Sequence, residues 1–168
     1  MNLDPNLLVD MSFQTAVIVL HEDASDSIIL TQRSFHLKDH PGEICFPGGR
    51  WHANDVDLCN TALRELNEEL GIVKHRVQNL RKLQIEKTLN GFVIHPWFGT
   101  IKTIHPFTAS VNEVAKVIHL PLKEVCDKNN YQDISIERQG KVFTSCQFIK
   151  SEFFIWGATA RIMKQLCE

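Results

Sequence analysis

The sequence predicts an α/β fold in which a mixed β-sheet is sandwiched between helices. Two observations support this class. Strand-like segments stand both before and after one strongly amphipathic helix, and a second helical segment closes the chain. With 168 residues and no repeat or linker rich in Pro, Gly or Ser, a single domain over residues 1–168 is expected, large enough for a hydrophobic core.

The strands are predicted from β-branched and apolar segments bounded by turn residues. The first two span residues 14–20 and 27–33, and residues 36–46 form a loop that ends in a short strand, because Pro41 and Gly42 signal a turn. The later predicted strands are 78–88, 91–101, 113–119, 134–138, 141–149 and 152–156. Residues 138–141 suit a hairpin turn between two of them.

The helix with the clearest pattern spans residues 56–70. Apolar side chains recur every four residues along it and form one stripe: Leu58, Ala62, Leu66 and Leu70. Asp55 is placed to cap its start, and Gly71 to end it in a left-handed conformation. A second amphipathic helix is expected at residues 157–167.

An acidic cluster is predicted on the helix side that faces away from the core. Glu65 and Glu69 stand four positions apart with Glu68 between them, and like charges at this spacing repel by a few tenths of a kcal/mol. A hard divalent cation such as Mg²⁺, which takes carboxylate ligands, is the simplest reason for such a patch. The alternative is a solvated acidic face, but the glycine pair at 48–49 and the single Arg64 beside the cluster favour the cation.

Composition narrows the class of protein. The net charge is −2 and the isoelectric point is near 6.4, so a protein that coats nucleic acid or anionic membranes is not expected. The first five residues lack the basic and apolar regions of a signal peptide, and the apolar runs are too short to span a bilayer. Five scattered cysteines without a C-x-x-C pair predict reduced, mostly buried thiols and a cytoplasmic location.

Residues 49–72 resemble the signature of the Nudix hydrolases. Gly49 opens the segment, Asp55 is at its first acidic position, and the run from Arg64 to Ile72 reads Arg-Glu-apolar-x-Glu-Glu-x-Gly-apolar. The first acid is usually Glu, and the spacer from Asp55 to Arg64 is one residue longer than usual. The resemblance implies a Nudix fold, an α/β/α sandwich with a mixed sheet, and metal-dependent attack on a diphosphate.

The preceding residues are similar to the signature of one Nudix branch, the coenzyme A diphosphatases. The matching positions are Arg33, Ser34, Gly42 and residues 46–49, with Lys38 where the signature has Arg. Residues 112–122 and 155–161 also look like this branch. The resemblance implies hydrolysis of coenzyme A, or of its derivatives, to 4′-phosphopantetheine and adenosine 3′,5′-bisphosphate. Hydrolysis of ADP-ribose, a dinucleotide or another nucleotide stays open, as does a non-catalytic nucleotide-sensing module.

The resemblance also implies roles for the acidic cluster. Glu65 and Glu69 would hold one or more Mg²⁺ or Mn²⁺ ions, and Glu68 would be a third ligand or the general base. Arg64 would orient a glutamate through a charge-assisted pair. Glu113, from a later loop, is a rival for the base.

Further roles concern the shell of the ion and the substrate. A carbonyl of the pair Gly48 and Gly49 would complete the shell, because glycine lets the backbone approach the ion. As a hypothesis, Arg33 and Lys38 contact the 3′-phosphate that distinguishes coenzyme A from other ADP conjugates, with His36 or His40 as further candidates. The expected partner is a small molecule, neither nucleic acid nor membrane, and a homodimer is left open.

Overall fold

A computed structural model describes residues 10–168 as two β-sheets and three α-helices. The larger sheet contains β1 (Gln14–Glu22), β2 (Ser27–Arg33), β3 (Ile44–Cys45), β4 (Gly48–Arg50), β5 (Gln78–Lys82), β6 (Glu86–Lys87), β7 (Val93–Ile101) and β8 (Val114–Pro121). The smaller sheet contains β9 (Tyr131–Arg138), β10 (Lys141–Phe148) and β11 (Ile155–Trp156). The helices are α1 (Leu58–Leu70), α2 (Leu122–Val125) and α3 (Gly157–Lys164).

The larger sheet is mixed, as predicted, and β1 lies near its centre. It pairs in parallel with β7 along its whole length and antiparallel with β2 and β4. Strand β2 pairs antiparallel with β3 and β8, while β5 and β6 pair antiparallel with β7. These pairings bring β4, which carries the glycine pair, next to the central strand.

Both faces of the larger sheet are covered, so its central strands are apolar on both sides. On one face Ile18 and Leu20 pack with Leu66 of α1 in a fully buried cluster. On the other face Val19 packs with residues of the smaller sheet and of α3, including Phe148. The predicted sheet between helical layers is therefore confirmed, and the smaller sheet in the second layer is an addition that the sequence reasoning did not foresee.

The predicted start of α1 is wrong by two residues. The helix begins at Leu58, and its cap is Asp57, whose carboxylate accepts a hydrogen bond from the backbone N–H of Asn60 at 2.8 Å. Asp55 cannot serve as the cap because its carboxylate is engaged elsewhere. The predicted end is confirmed: Gly71 has φ +66° and donates its N–H to the Asn67 carbonyl.

Other predicted elements agree with small changes. The segment 78–88 is broken into β5 and β6, and the hairpin after β9 turns through Gln139 and Gly140, which have φ of 52° and 71°. The five cysteines are free, as predicted, but only Cys146 is buried while the others are partly exposed. Between residues 10 and 168 no helix has the length and apolarity needed to cross a bilayer. The signal-peptide prediction concerns residues outside this range.

Candidate active site

Helix α1 presents the acidic cluster because its apolar stripe is fixed to the sheet. Leu66 and Leu70 are fully buried, and beside them Glu69 is buried and Glu65 half-buried, whereas Glu68 is exposed. Backbone N–H groups of the loop before β8 satisfy the last carbonyls of the helix: Thr108 donates to Leu70 at 2.9 Å, and Ser110 donates to Glu69 at 2.8 Å. These bonds bring that loop against the acidic end of α1.

Arg64 is the centre of an ion-pair network. Its Nε and Nη2 donate to the two carboxylate oxygens of Asp55 at 2.8 and 3.1 Å, a bidentate pair. Its Nη1 donates to Glu65 Oε1 at 3.0 Å and to Glu68 Oε1 at 3.2 Å, and its Nη2 also reaches the Arg50 carbonyl. These are the contacts that an orienting role for Arg64 requires.

Asp55 is held in this network by several donors. Its carboxylate is 5% exposed, and it accepts hydrogen bonds from the Thr61 hydroxyl and the His52 backbone N–H. Hydrogen bonding from Arg64 is the main reason that the pKa of Asp55 is lowered to about 2. Thr61, which is fully buried, was missed by the sequence reasoning; a polar residue inside an apolar helix face was the available signal.

Glu69 is the least solvated member of the cluster. Only 8% of the residue is exposed, and its Oε2 atom has no hydrogen-bond partner in the described part of the chain. Burial, followed by the charge of Glu65, raises the pKa of Glu69 to about 8, although the Gly48 backbone N–H and the charge of Arg33 oppose this. The expectation that the whole cluster faces away from the core is therefore wrong for Glu69, which is turned into the crevice beside Gly48.

Glu65 lies against the backbone of β4. A Cβ atom on Gly49 would collide with the Glu65 carboxyl group, so the absence of a side chain at residue 49 leaves room for that carboxylate. Burial raises the pKa of Glu65, and the charges of Glu68 and Glu113 add to the rise while Arg64 opposes it.

Glu113 approaches the cluster from the loop before β8. Its N–H donates to the Ser110 carbonyl at 3.1 Å, and Ser110 in turn donates to the Glu69 carbonyl, so its loop lies against the end of α1. Its negative charge contributes to the raised pKa of both Glu65 and Glu69. Its backbone carbonyl accepts a hydrogen bond from the Ser34 N–H at 2.9 Å, and this bond joins its loop to the end of β2. The tertiary fold thus brings a carboxylate distant in sequence to the acidic end of α1.

The donor set fits a hard divalent cation. Carboxylate oxygens from α1, together with a backbone carbonyl at the glycine pair, are the ligand type that Mg²⁺ takes. The orphaned Glu69 Oε2 and the Glu65 carboxylate, which lies against Gly49, supply oxygen donors of this kind. No three His, Cys, Asp or Glu side chains within residues 10–168 already converge on one point, and Arg64 engages Glu65 and Glu68. Holding a cation would therefore involve reorientation of these side chains.

The β2–β3 loop (residues 34–43) carries the candidate phosphate-binding cations. Lys38, His36 and His40 are exposed there. Arg33, at the base of this loop, uses Nε and Nη2 to donate to the Asp39 carbonyl at 3.2 and 3.0 Å, and its charge lowers the pKa of Glu69. The structure thus brings the charge of Arg33 near the acidic cluster, whereas Lys38 is exposed in the middle of the loop.

Two surface grooves lie outside the acidic cluster. One of about 430 Å³ is lined by β10 and α3 side chains, including Arg161 and Lys164. The other, of about 440 Å³, lies on the flank of α1 and includes Asp55 and Arg64. Neither groove includes Glu69, and the candidate site is identified by the charges and contacts of its residues.

Comparisons with known proteins agree with this geometry. Residues 12–133 match the NUDIX domain family. The Nudix hydrolase NudL of Salmonella paratyphi B, itself uncharacterized, is 33% identical over 139 residues, which cover 83% of this chain and 72% of the relative; NudL of Salmonella newport gives the same values.

Solved structures show the same fold. A MutT/nudix family protein from Enterococcus faecalis has a TM-score of 0.59 and 18% identity, over 91% of this chain and 60% of that one. The NUDIX domain of Shewanella oneidensis NrtR, in complex with ADP ribose, has a TM-score of 0.53 and 24% identity, over 74% of this chain and 81% of that one. At these identities the similarity concerns the fold.

Proposed function

The chain belongs to the NUDIX domain family and is a Nudix hydrolase that acts on nucleoside diphosphate derivatives; on that premise we propose that its substrate is coenzyme A or an acyl derivative of it. The bond broken is the pyrophosphate, and the products are 4′-phosphopantetheine, or its acylated form, and adenosine 3′,5′-bisphosphate. We also propose a cytosolic location, because free, partly exposed thiols persist in a reducing compartment.

The observation that carries the metal-dependent activity is the buried carboxylate of Glu69. A buried carboxylate in which one oxygen lacks a hydrogen-bond partner is costly, and the neighbouring charge of Glu65 increases the cost. A cation bound at this end of the glutamate-rich helix would neutralise the carboxylate and so stabilise the folded protein. This arrangement suits a hydrolase that must neutralise phosphate oxygens.

The residues of the cluster have different roles in the proposed reaction. Glu65 and Glu69 would hold Mg²⁺ or Mn²⁺ with a carbonyl of the pair at 48–49. When bound, the cation supplies charge neutralisation at the diphosphate and lowers the pKa of a bound water. Arg64 keeps Glu65 in place through the ion pair at 3.0 Å. Glu113 and Glu68 are the two candidates for the proton acceptor, since both carboxylates border Glu65.

The preference for coenzyme A is assigned to the β2–β3 loop. The 3′-phosphate of coenzyme A is a dianion that most other ADP conjugates lack, so a specific enzyme needs a cation there. Lys38 is exposed on this loop, and Arg33 lies at its base near Glu69. Both are therefore proposed to determine recognition of the 3′-phosphate.

The activity is tested with a panel of diphosphates, including coenzyme A, acetyl-coenzyme A, ADP-ribose and a dinucleotide, with Mg²⁺ and with Mn²⁺. The wild type should cleave coenzyme A best, and Glu69→Gln should lose at least about a hundredfold in kcat while staying folded. Glu137→Gln, an exposed glutamate on β9, is the matched control and should keep wild-type activity. Equal rates on every compound would reject the coenzyme A preference, and binding without any turnover would identify a sensing module.

Recognition of the 3′-phosphate is tested separately by comparing coenzyme A with dephospho-coenzyme A. Replacing Arg33 and Lys38 together by Ala should reduce the ratio of their kcat/KM values by about tenfold or more, as expected for the loss of charge-assisted contacts. Lys141→Ala, which removes an exposed lysine from β10, controls for net charge. An unchanged ratio in the double variant would rule out this role.

A further inference from the structure

We propose that Arg33 is a positioning residue, which holds the β2–β3 loop in the conformation that presents Lys38 to the substrate. The inference rests on the proposed function only for the identity of the substrate. In this proposal Arg33 does not contact the 3′-phosphate itself but acts by holding the loop that carries Lys38.

The backbone at Arg33 already closes the base of the loop. Its N–H donates to the Glu43 carbonyl at 2.9 Å, and its carbonyl accepts from the Gly42 N–H at 3.1 Å. A register shift between Gln32 and Arg33 interrupts the ladder with β8 at this point. The extra residue lies on β8, where Ala115 is skipped, so Arg33 stays paired with Val114 at the last position of β2.

The Arg33 side chain ties the base of the loop to its far part. Two of its N–H groups converge on the carbonyl of Asp39, which directly follows Lys38 in the chain. A carbonyl oxygen with two lone pairs accepts both bonds, and the planar guanidinium fork fixes their direction. The position of Lys38 is thereby linked to a group that also lies near Glu69.

Other contacts within the loop support the conformation that the Arg33–Asp39 hydrogen bonds hold. His40 has φ 52° and Gly42 has φ 70°, and these left-handed residues turn the chain back toward Arg33. A Cβ on Gly42 would collide with the ring of Phe35, which covers the turn. The Gln32 side chain donates to the Gly42 carbonyl at 3.3 Å. The loop therefore has a defined conformation, and removal of the guanidinium should disturb it.

A lysine at residue 33 would not restore this arrangement. Its ammonium is a compact charge on a flexible stem and lacks the rigid pair of donors that meets the Asp39 carbonyl. Lysine would nevertheless preserve the positive charge near Glu69. Arg33→Lys therefore separates positioning by geometry from simple charge.

Hydrogen exchange tests the positioning directly and needs neither metal nor substrate. The amides of Leu37, Gly42 and Glu43 donate hydrogen bonds within the loop. Both Arg33→Ala and Arg33→Lys should accelerate their exchange by about tenfold or more, with unchanged exchange in α1. Arg81→Ala, an exposed arginine whose guanidinium lies over the Phe98 ring, is the control and should leave the loop unchanged. Native protection in Arg33→Lys would overturn the proposal.

A double-mutant cycle tests the link to Lys38. Lys38→Ala should raise KM for coenzyme A by about tenfold in the wild-type background, with a smaller change in kcat, and should have little further effect in Arg33→Lys. Additive effects would show that the two side chains act independently and would overturn the proposal. If coenzyme A is not cleaved, the proposed function fails, while the exchange experiment still decides whether Arg33 positions the loop.

Discussion

Replacement of Glu69 by Gln should stabilise the metal-free protein while abolishing its activity. In the folded chain the pKa of Glu69 rises from its ordinary 4.5 to about 8, mainly because the carboxyl group is buried. At 1.36 kcal/mol per pKa unit, the rise corresponds to about 5 kcal/mol as an upper limit. Relaxation and water penetration reduce such costs, so an effect of about 2 kcal/mol is expected.

The sign follows from proton binding. Below pH 4.5 both the folded and the unfolded chain keep the Glu69 proton, and the residue contributes no pH dependence. Between pH 4.5 and about 8 the unfolded chain has released that proton while the folded chain retains it, so the stability of the wild type falls as pH rises. Above this range the folded chain bears the full free-energy cost of the buried Glu69 charge. Glutamine carries no charge, so Glu69→Gln does not bear this cost.

The assay is urea unfolding in EDTA at pH 5 and pH 8.5, for the wild type, Glu69→Gln and the control Glu137→Gln. The advantage of Glu69→Gln over the wild type should grow by about 2 kcal/mol from the lower to the higher pH. Mg²⁺ should then stabilise the wild type more than Glu69→Gln, because the ion neutralises the carboxylate. The reasoning is refuted if Glu69→Gln gains nothing over the wild type at pH 8.5.

Two further predictions concern the neighbours of this carboxylate. Gly49→Ala should fold but weaken Mn²⁺ binding by about tenfold in calorimetry, because the new Cβ displaces Glu65. Gly48→Ala should instead lower the free energy of unfolding by more than about 2 kcal/mol, because its Cβ meets the backbone of β1. Equal effects of the two variants on Mn²⁺ binding and on stability would contradict this. Arg64→Lys keeps the charge but loses the bidentate pair with Asp55, so kcat should fall by about tenfold or more with a smaller change in KM, and wild-type kinetics would contradict the orienting role.

Local sequence was sufficient for much of the fold and for the centre of the site. The apolar period of α1 placed Glu65 and Glu69 on one helix, and Gly71 marked its end, because both depend on interactions within a few residues. The strands around α1 were predicted for the same reason. The cap was misplaced because Asp55 and Asp57 are equally suitable locally, and only the position of Arg64 in the fold distinguishes them.

Long-range packing decided the rest. Helical period put Glu69 on an exposed face, yet in the fold Glu69 is buried beside β4, and this burial raises its pKa. Glu113 and Arg33 are far from α1 in the chain, and strand pairing and loop docking bring them to it. The sequence by itself thus determined the residue types and the helix that carries them, since those follow from local periodicity. The tertiary structure alone decided their solvation and their neighbours, since desolvation and Coulomb energies depend on distances between segments remote in sequence.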